Sequence, residues 1–406
     1  MNIRDNERLL SELVADLDLP DSAYETAVRR YENIGEWLGR EDSSCAKFDP
    51  HIFPQGSFRL GIAIKPLSGL EEYDLDLACN LRSGVDSNTH TQKNLKELVG
   101  AELELYRNAR NIKQPLEAKH RCWRLEYADS LKFHMDIVPC VPESEIRKKS
   151  LVLAMESHGI VESLAQRVAE LAVGITDDRH LNYSQKVSDW LISNPEGYAE
   201  WFESNMHPTQ EGLMLTCESA QVDEMPMFKT KTPLQRIVQI LKRHRDKMFA
   251  DNPDSKPISV IITTLAASAY SGGSSLESAL KEVLLGLKEF IKSDSNEVLN
   301  PVNPNENFAD RWSMPAYKNL ELKKNFHNWV HQVNRDFEFL LESNELEMIT
   351  ESLAKNLSIS LEGQKLASLL SIPFASEAIA SQPKVVSEPV SKPWSKGRGD
   401  FCKQLV

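Results

Sequence analysis

Two aspartates one residue apart, Asp74 and Asp76, constrain the fold of this 406-residue chain more than any other feature. Residues 73–81 predict a β-strand, in which both carboxylates lie on one face and Leu75 and Leu77 pack on the other. Like charges so close repel each other, and burial strengthens the repulsion. A divalent cation offsets it, and oxygen ligands favour magnesium or manganese. The alternative interpretation is a solvated strand face with two acids.

A Gly-Ser pair precedes these aspartates, with Ser57 lying 17 residues before Asp74. Gly56 allows the backbone to approach a ligand closely, and Ser57 offers a hydroxyl and an amide to a phosphate. An isolated Gly-Ser pair is also a common turn. Together with the paired aspartates, however, the pair predicts a nucleoside-triphosphate site.

A third carboxylate, Asp136, lies in a second alternating segment, residues 132–139. The alternation predicts a strand with His134, Asp136 and Val138 on one face, ended by Pro139 because proline cannot donate to the ladder. Three carboxylates on neighbouring strands beside a nucleotide predict a phosphoryl-transfer site that holds two metal ions.

The sequence resembles the bacterial cGAS/DncV-like nucleotidyltransferases (CD-NTases), which belong to the DNA polymerase beta-like superfamily. The resemblance covers residues 1–375. Besides Asp136, it rests on the motifs Pro54-Gln55-Gly56-Ser57-Phe58-Arg59-Leu60-Gly61 and Glu72-Tyr73-Asp74-Leu75-Asp76-Leu77. Ile62 departs from the family pattern, which usually has a small hydroxyl residue after the glycine.

The resemblance implies an α+β fold. We expect a bilobed polymerase beta-like core, a mixed sheet with flanking helices and a long N-terminal spine helix, joined to a C-terminal helical lobe. The spine is the second predicted helix, residues 22–39. The expected domains are the catalytic core at residues 1–160, a helical nucleotide-binding lobe at 161–375 and a flexible tail at 376–406.

The resemblance also implies the roles of individual residues. Asp74, Asp76 and Asp136 are expected to be catalytic and to hold two Mg²⁺ ions, with Mn²⁺ as an alternative. The expected nucleotide-binding residues of the first motif are Gln55, Gly56 and Ser57.

In this family a lysine and a serine of the helical lobe contact the donor triphosphate, and the candidates here are Lys242 and Ser259. Lys242 lies in the region 233–267, on a predicted helix whose other polar residues are expected to form a solvated face: Arg236, Gln239, Arg243 and Asp246. Ser259 begins an apolar helical run, where backbone amides favour an anion. A helix cap is its alternative role.

The implied activity is template-independent nucleotidyl transfer. ATP, with or without other ribonucleoside triphosphates, would be joined into a cyclic di- or trinucleotide, with release of pyrophosphate. The implied context is antiphage (CBASS) defence with accessory and effector proteins. Two alternatives stay open: a linear nucleotidyltransferase that modifies RNA or protein, and a catalytically inactive binding protein.

The charge balance weighs against a long nucleic-acid partner. The net charge is −13, from 60 acidic and 47 basic residues, whereas a protein that wraps a duplex carries a basic surface. No stretch approaches the roughly 18 apolar residues of a membrane span, and the first residues lack the apolar core of a signal peptide. Six scattered cysteines without a C-x-x-C pair predict reduced thiols. We therefore expect a cytoplasmic protein without membrane contact.

Local patterns add further expectations. Ser22-x-x-Glu25 predicts a capping box at the start of the second helix. The remaining expectations are a charged loop at 143–149, a helix–turn–helix at 190–202, a turn-rich loop at 300–308 and disorder at 376–398.

Overall fold

The computed structural model describes residues 5–67, 73–127, 132–206 and 222–372. The predictions for the tail at 376–406, and Glu72 at the start of the second motif, lie outside these residues. Within the four described segments, no helix combines the length and apolar character that crossing a membrane requires.

A mixed sheet carries the motif residues. In the described residues its strands are β1 (Pro50–Gln55), β2 (Tyr73–Leu81), β3 (Glu117–Ala118), β4 (Trp123–Tyr127), β5 (Phe133–Pro142), β6 (Val173–Ile175) and β7 (Leu191–Ser193). Their order is β1-β2-β5-β4-β3, while β6 pairs with β5 and β7 with β6. β2 and β5 run parallel, and β1 and β4 flank them antiparallel. The predicted strand at 73–81 is confirmed.

Helices flank the sheet and build a second lobe, so the α+β prediction is confirmed. They are α1 (Asn6–Leu17), α2 (Asp21–Gly39), α3 (Gly56–Arg59), α4 (Gln92–Ala109), α5 (Glu145–Ser157), α6 (Glu162–Glu170), α7 (Pro195–Met206), α8 (Pro233–Met248), α9 (Ser259–Ala269), α10 (Leu276–Lys292), α11 (Leu322–Glu342), α12 (Leu346–Leu357) and α13 (Gly363–Leu369). A hairpin, β8 (Leu299–Asn300) and β9 (Asn303–Asn307), follows α10.

Two large hydrophobic clusters, with a smaller third one around Phe53 and Cys140, make up the core of the described residues. One packs α2 and α4 against the sheet, with Tyr31, Leu75 and Ile137 fully buried. The other joins α1, α5, α6 and the later helices around residues such as Trp329. The buried side chains of α2 belong to the sheet cluster and those of α1 to the helical cluster, so the two N-terminal helices together connect the lobes. The boundary at residue 160 stays a prediction.

The predicted start of α2 is wrong by one residue. The helix begins at Asp21, Ser22 lies inside its first turn, and no side chain caps it. The carbonyl of Pro20 accepts the amides of Ala23 and Tyr24 at 2.9 and 3.1 Å, which closes the first turn before a capping box can form.

Two further local predictions fail because neighbouring elements supply partners. The charged segment 143–149 is not a loop: α5 begins at Glu145, and Lys148 pairs with Glu145 and Glu170 on its surface. Pro139 does not end β5, which continues to Pro142 because β6 takes over the pairing from Cys140 onward.

The segments at 190–202 and 300–308 also differ from prediction. The first is the strand β7 followed by α7, and the second is the β8–β9 hairpin. In both segments, residues that were expected to form a helix or a loop pair with a neighbouring short strand. The turn residues of the sequence do not indicate this pairing.

Asn194, between β7 and α7, is 3% exposed and supports both. Its Oδ1 accepts the Gly197 amide at 3.0 Å, and its Nδ2 donates to the Val168 carbonyl at 2.7 Å. We expect Asn194→Ala to lower the free energy of unfolding by about 2–3 kcal/mol, because it removes a helix cap and leaves buried partners unsatisfied. Urea denaturation measures this. Asn194→Asp, which keeps the acceptor, should lose less; equal stability of all three proteins would contradict the assignment.

Candidate active site

A cavity of ≈ 1090 Å³ is lined by residues of both lobes. Of the predicted site residues it includes Gly56, Ser57, Asp74, Asp76, Lys242 and Ser259. Gln55 and Asp136 are not in its wall. The structure therefore brings six of the eight predicted residues to one space.

Gly56 lies at the junction of β1 and α3 with a φ of +65°. A β-carbon there would lie 2.5 Å from Oδ2 of Asp76, so the backbone of the Gly-Ser turn lies against that carboxylate. Both the left-handed backbone and the contact require glycine. The turn and the metal-ligand candidate are thus one structural unit.

Asp76 is partly buried, and its side chain lines the cavity. In the sheet it lies between Gln55 on β1 and Asp136 on β5. Burial, followed by the charges of Asp74 and Asp136, raises the pKa of Asp76 to about 7. A divalent cation at this carboxylate would remove the unfavourable energy that this shift reflects.

Asp74 is more open, with a side chain that is 65% exposed. His134, its partner across the parallel β2–β5 pair, contacts the Asp74 Oδ1 through Nε2. His134 also lines the cavity. Sequence analysis placed His134 on the face of Asp136 and gave it no role, because the contact depends on the register between strands that are far apart in sequence.

Asp136 is bound by Arg124, its antiparallel neighbour on β4. Arg124 Nε donates to Oδ1 and Nη2 to Oδ2, both at 2.7 Å. This bond to Asp136 raises the pKa of the Arg124 guanidinium. Arg124 has no role in the sequence-based prediction.

The Gln55 side chain is directed to the sheet. Its Nε2 donates to the Leu77 carbonyl at 3.2 Å. Gln55 therefore supports the pairing of β1 with β2 in this structure, and its nucleotide-binding role stays a prediction.

Lys242 is 7% exposed, and its Nζ donates to the Ile62 carbonyl at 2.9 Å. Burial, with a smaller effect from Arg245, lowers the pKa of Lys242 to about 8. Ser259 begins α9 but makes no cap bond, so its alternative role as a helix cap is wrong. Its Oγ accepts from Nη1 of Arg245 at 2.8 Å. Arg245 also lines the cavity, one helical turn after Lys242, and sequence analysis missed it.

The solvated polar face predicted for α8 is wrong for Gln239 and Arg243, which are 0% and 3% exposed. With Gln235 and Lys242, they donate to backbone carbonyls of residues 60–65. The Gln235 and Gln239 amides do so at 2.9 and 2.8 Å. The polar face of α8 thus holds the backbone that follows the Gly-Ser turn.

Asp74 and Asp76 fit a divalent cation, since they are hard oxygen ligands whose mutual repulsion a cation would relieve. Across the described parts of the chain, no group of three or more His, Cys, Asp or Glu side chains is arranged to hold a metal ion. Asp136 is not arranged as a third ligand beside Asp74 and Asp76, because both of its oxygens accept from the Arg124 guanidinium.

Residues 50–139 match the family model described as "Cyclic GMP-AMP synthase DncV-like, nucleotidyltransferase domain". This range contains the Gly-Ser turn and all three aspartates. The chain is also 29% identical over 345 residues to the c-di-GMP synthase of Roseivirga ehrenbergii, covering 84% of this chain and 81% of that protein. The chain therefore carries a DncV-like nucleotidyltransferase domain at residues 50–139 and is a nucleotidyltransferase.

Other relatives agree with this assignment. The cyclic dinucleotide synthase CdnG of Bradyrhizobium diazoefficiens is 23% identical to this nucleotidyltransferase, over 79% of this chain and 73% of CdnG. The structure of that CdnG with GTP superposes with a TM-score of 0.62, at 20% identity, over 89% and 96% of the two chains. Vibrio cholerae DncV, bound to a linear intermediate, gives a TM-score of 0.57 at 14% identity over 90% and 98%. The structural likenesses concern the fold.

Proposed function

We propose that this DncV-like nucleotidyltransferase makes a cyclic di- or trinucleotide from ribonucleoside triphosphates, ATP among them, in a Mg²⁺-dependent reaction that releases pyrophosphate. The observation that carries the proposal is the single cavity that joins the Gly56 turn, the Asp74 and Asp76 carboxylates and the buried Lys242. The names of the two sequence relatives, both cyclic dinucleotide synthases, support cyclisation.

The size of the cavity agrees with more than one bound nucleotide. Pockets for a single drug-sized ligand measure about 300–1,000 Å³. At ≈ 1090 Å³ this cavity lies near the upper end of that range. A synthase that joins two nucleotides needs room for a donor and an acceptor together.

Five of the cavity residues have a role in this reaction. The backbone at Gly56 and Ser57 approaches the donor phosphates, and Lys242 supplies a positive charge beside them. Asp74 and Asp76 would hold Mg²⁺, with Asp136 on the adjacent strand as the third carboxylate. The bound ions supply charge neutralisation at the phosphates and a more acidic acceptor hydroxyl. The chain itself contributes position and a partly water-excluded site.

The main alternative is a linear nucleotidyltransferase that modifies RNA or protein. It would need a further acceptor, whereas a cyclase uses the hydroxyl of its own linear product. The net charge of −13 gives no support to an RNA acceptor. We place the reaction in antiphage defence, with CBASS accessory and effector proteins as partners and with the cytoplasm as its location.

The deciding experiment incubates the purified protein with Mg²⁺ and all four ribonucleoside triphosphates, followed by phosphatase and mass spectrometry. A phosphatase-resistant oligonucleotide without a free phosphate is expected, and its mass gives the bases and the ring size. Products that phosphatase degrades completely, or transfer only to added RNA or protein, would contradict cyclisation. The same incubation with EDTA should give no product.

Lys242 makes nucleotide binding dependent on pH. Because its pKa is lowered to about 8 in the free protein, the ammonium form is present below pH 8 and is lost as the pH rises through that value. A triphosphate binds the charged form, so we expect proton uptake on binding near pH 8 and weaker affinity above it. Lys242→Met should abolish the uptake and weaken binding about tenfold.

Calorimetry in buffers of different ionisation enthalpy measures this uptake directly. Lys247→Met is the matched control, since Lys247 lies on the same helix but not in the cavity wall. Equal pH dependence in the wild type and in Lys242→Met would exclude Lys242 as the phosphate-binding group.

A further inference from the structure

The three aspartates differ in what holds them. Asp74 and Asp76 line the cavity, but Asp136 does not, although it lies directly beside Asp76 in the sheet. Both oxygens of Asp136 accept from Arg124, and the two side chains are only 19% and 27% exposed. A paired guanidinium and carboxylate in this geometry form a strong bond that water screens only in part.

We propose that Arg124 is an internal counter-ion that controls when Asp136 becomes a metal ligand. In the metal-free protein its guanidinium occupies both oxygens of Asp136 and keeps this carboxylate out of the cavity. The Asp74 and Asp76 pair is available for a first cation, but a second one at Asp136 must compete with Arg124. Arg124 is thus a positioning residue. This inference rests on the metal dependence proposed above.

The consequence is an order of assembly. Opening a partly buried ion pair is unfavourable unless both charges find new partners. A nucleoside triphosphate favours this exchange, since its phosphate oxygens add ligands for a cation at Asp136 and offset its charge. The catalytic site with all three carboxylates therefore forms when nucleotide is bound, which limits reaction in its absence.

A different role for Arg124 makes the opposite prediction. In this role the Arg124 guanidinium would orient Asp136, and a cation would bind Asp136 without displacing the guanidinium. Removing Arg124 would then weaken the second metal site. If Arg124 competes with the cation, removing it would strengthen that site. The sign of the change in metal affinity therefore distinguishes the two roles, and neither sign depends on catalytic turnover.

The test is a titration of the nucleotide-free protein with Mn²⁺, in which electron paramagnetic resonance counts the free ion. We expect Arg124→Gln to bind the second Mn²⁺ at least about tenfold more tightly than the wild type. Arg124→Lys, which keeps the charge but not the fork, should lie between them. The gain should disappear in Arg124→Gln combined with Asp136→Asn. Circular dichroism confirms that each variant is folded.

Arg121→Gln is the matched control, because Arg121 bonds Asp177 instead of Asp136 and lies before the same strand. Second-site affinity that is unchanged or weaker in Arg124→Gln would overturn the inference, as would an equal gain in Arg121→Gln. The result is independent of the product analysis. Failure to find a cyclic product would leave these Mn²⁺ counts intact, whereas absence of Mn²⁺ binding in every variant would refute the proposed metal dependence as well.

Discussion

Asp76→Asn is expected to abolish nucleotide synthesis, by at least about a thousandfold, and to make the metal-free protein more stable at pH 8. The two effects have one cause. The carboxylate lies in a site that disfavours its charge, with burial as the largest contribution and Asp74 and Asp136 beside it. A bound cation would stabilise the charged carboxylate, whereas without a cation this environment only destabilises the folded protein.

The pH dependence of stability follows from the direction of the shift. The pKa of Asp76 is raised from 3.8 to about 7 in the folded protein, so folding favours its protonated form. Its contribution to stability is fully present below the unfolded pKa and is lost as the pH rises through 7. The gain in melting temperature from Asp76→Asn should therefore be largest above pH 7 and decrease toward pH 5.

Thermal melting of metal-free protein between pH 5 and pH 8.5, together with the product assay, checks both effects. Glu196 also has a pKa raised to about 7 by burial, but it is present in both proteins, so the difference between them reports Asp76. Asp42→Asn is the control, since its side chain is 84% exposed. Retained synthesis would refute the metal assignment, and an unchanged melting temperature at pH 8 would refute the electrostatic account.

Gly56→Ala is expected to reduce synthesis by at least about a hundredfold and to lower the free energy of unfolding by about 1–3 kcal/mol. The added methyl group meets two obstacles. The φ of +65° is unfavourable for alanine, and the new β-carbon would lie 2.5 Å from Oδ2 of Asp76. The turn must move or the carboxylate must move, and either change displaces the backbone that we propose to bind phosphate from the proposed metal ligands.

Gly159→Ala separates the two obstacles. Gly159 has a φ of +87°, but nothing lies within 4 Å of a β-carbon placed there. It should lose stability from the backbone strain alone and keep full activity. Urea denaturation and product analysis of both variants make the comparison. If Gly56→Ala behaves like Gly159→Ala in both measurements, the contact with Asp76 has no functional importance.

The parts of the site that could be predicted are those with a local signature. The alternation around Asp74 and Asp76 predicts a strand, and the Gly56-Ser57 pair predicts a turn, because each depends on residues adjacent in the chain. Arg124 could not be assigned in this way. Its bond to Asp136 depends on the antiparallel register between β4 and β5. The pattern of apolar and polar residues within either strand does not give this register.

The same limit explains the failures in the fold. Pro139 is a reasonable end for an isolated strand, but a third strand extends the pairing beyond it. Gln239 and Arg243 would form a solvated face on an isolated helix, but here the backbone carbonyls of Ala63 and Lys65 face them. Short-range patterns identify elements, and contacts between elements decide what their polar residues do.

The hydrogen bonds from α8 to the backbone of residues 60–65 affect which amino-acid substitutions this segment tolerates. The side chains of α8 recognise carbonyl oxygens, which every amino acid possesses, and not the side chains of the segment they hold. Except at Gly61, where a β-carbon would collide with Nε2 of Gln235, substitutions in this segment are therefore compatible with the same backbone path past the cavity. Ile62, which departs from the family pattern, is an instance: Lys242 binds its carbonyl, and its side chain is free to join the apolar interior.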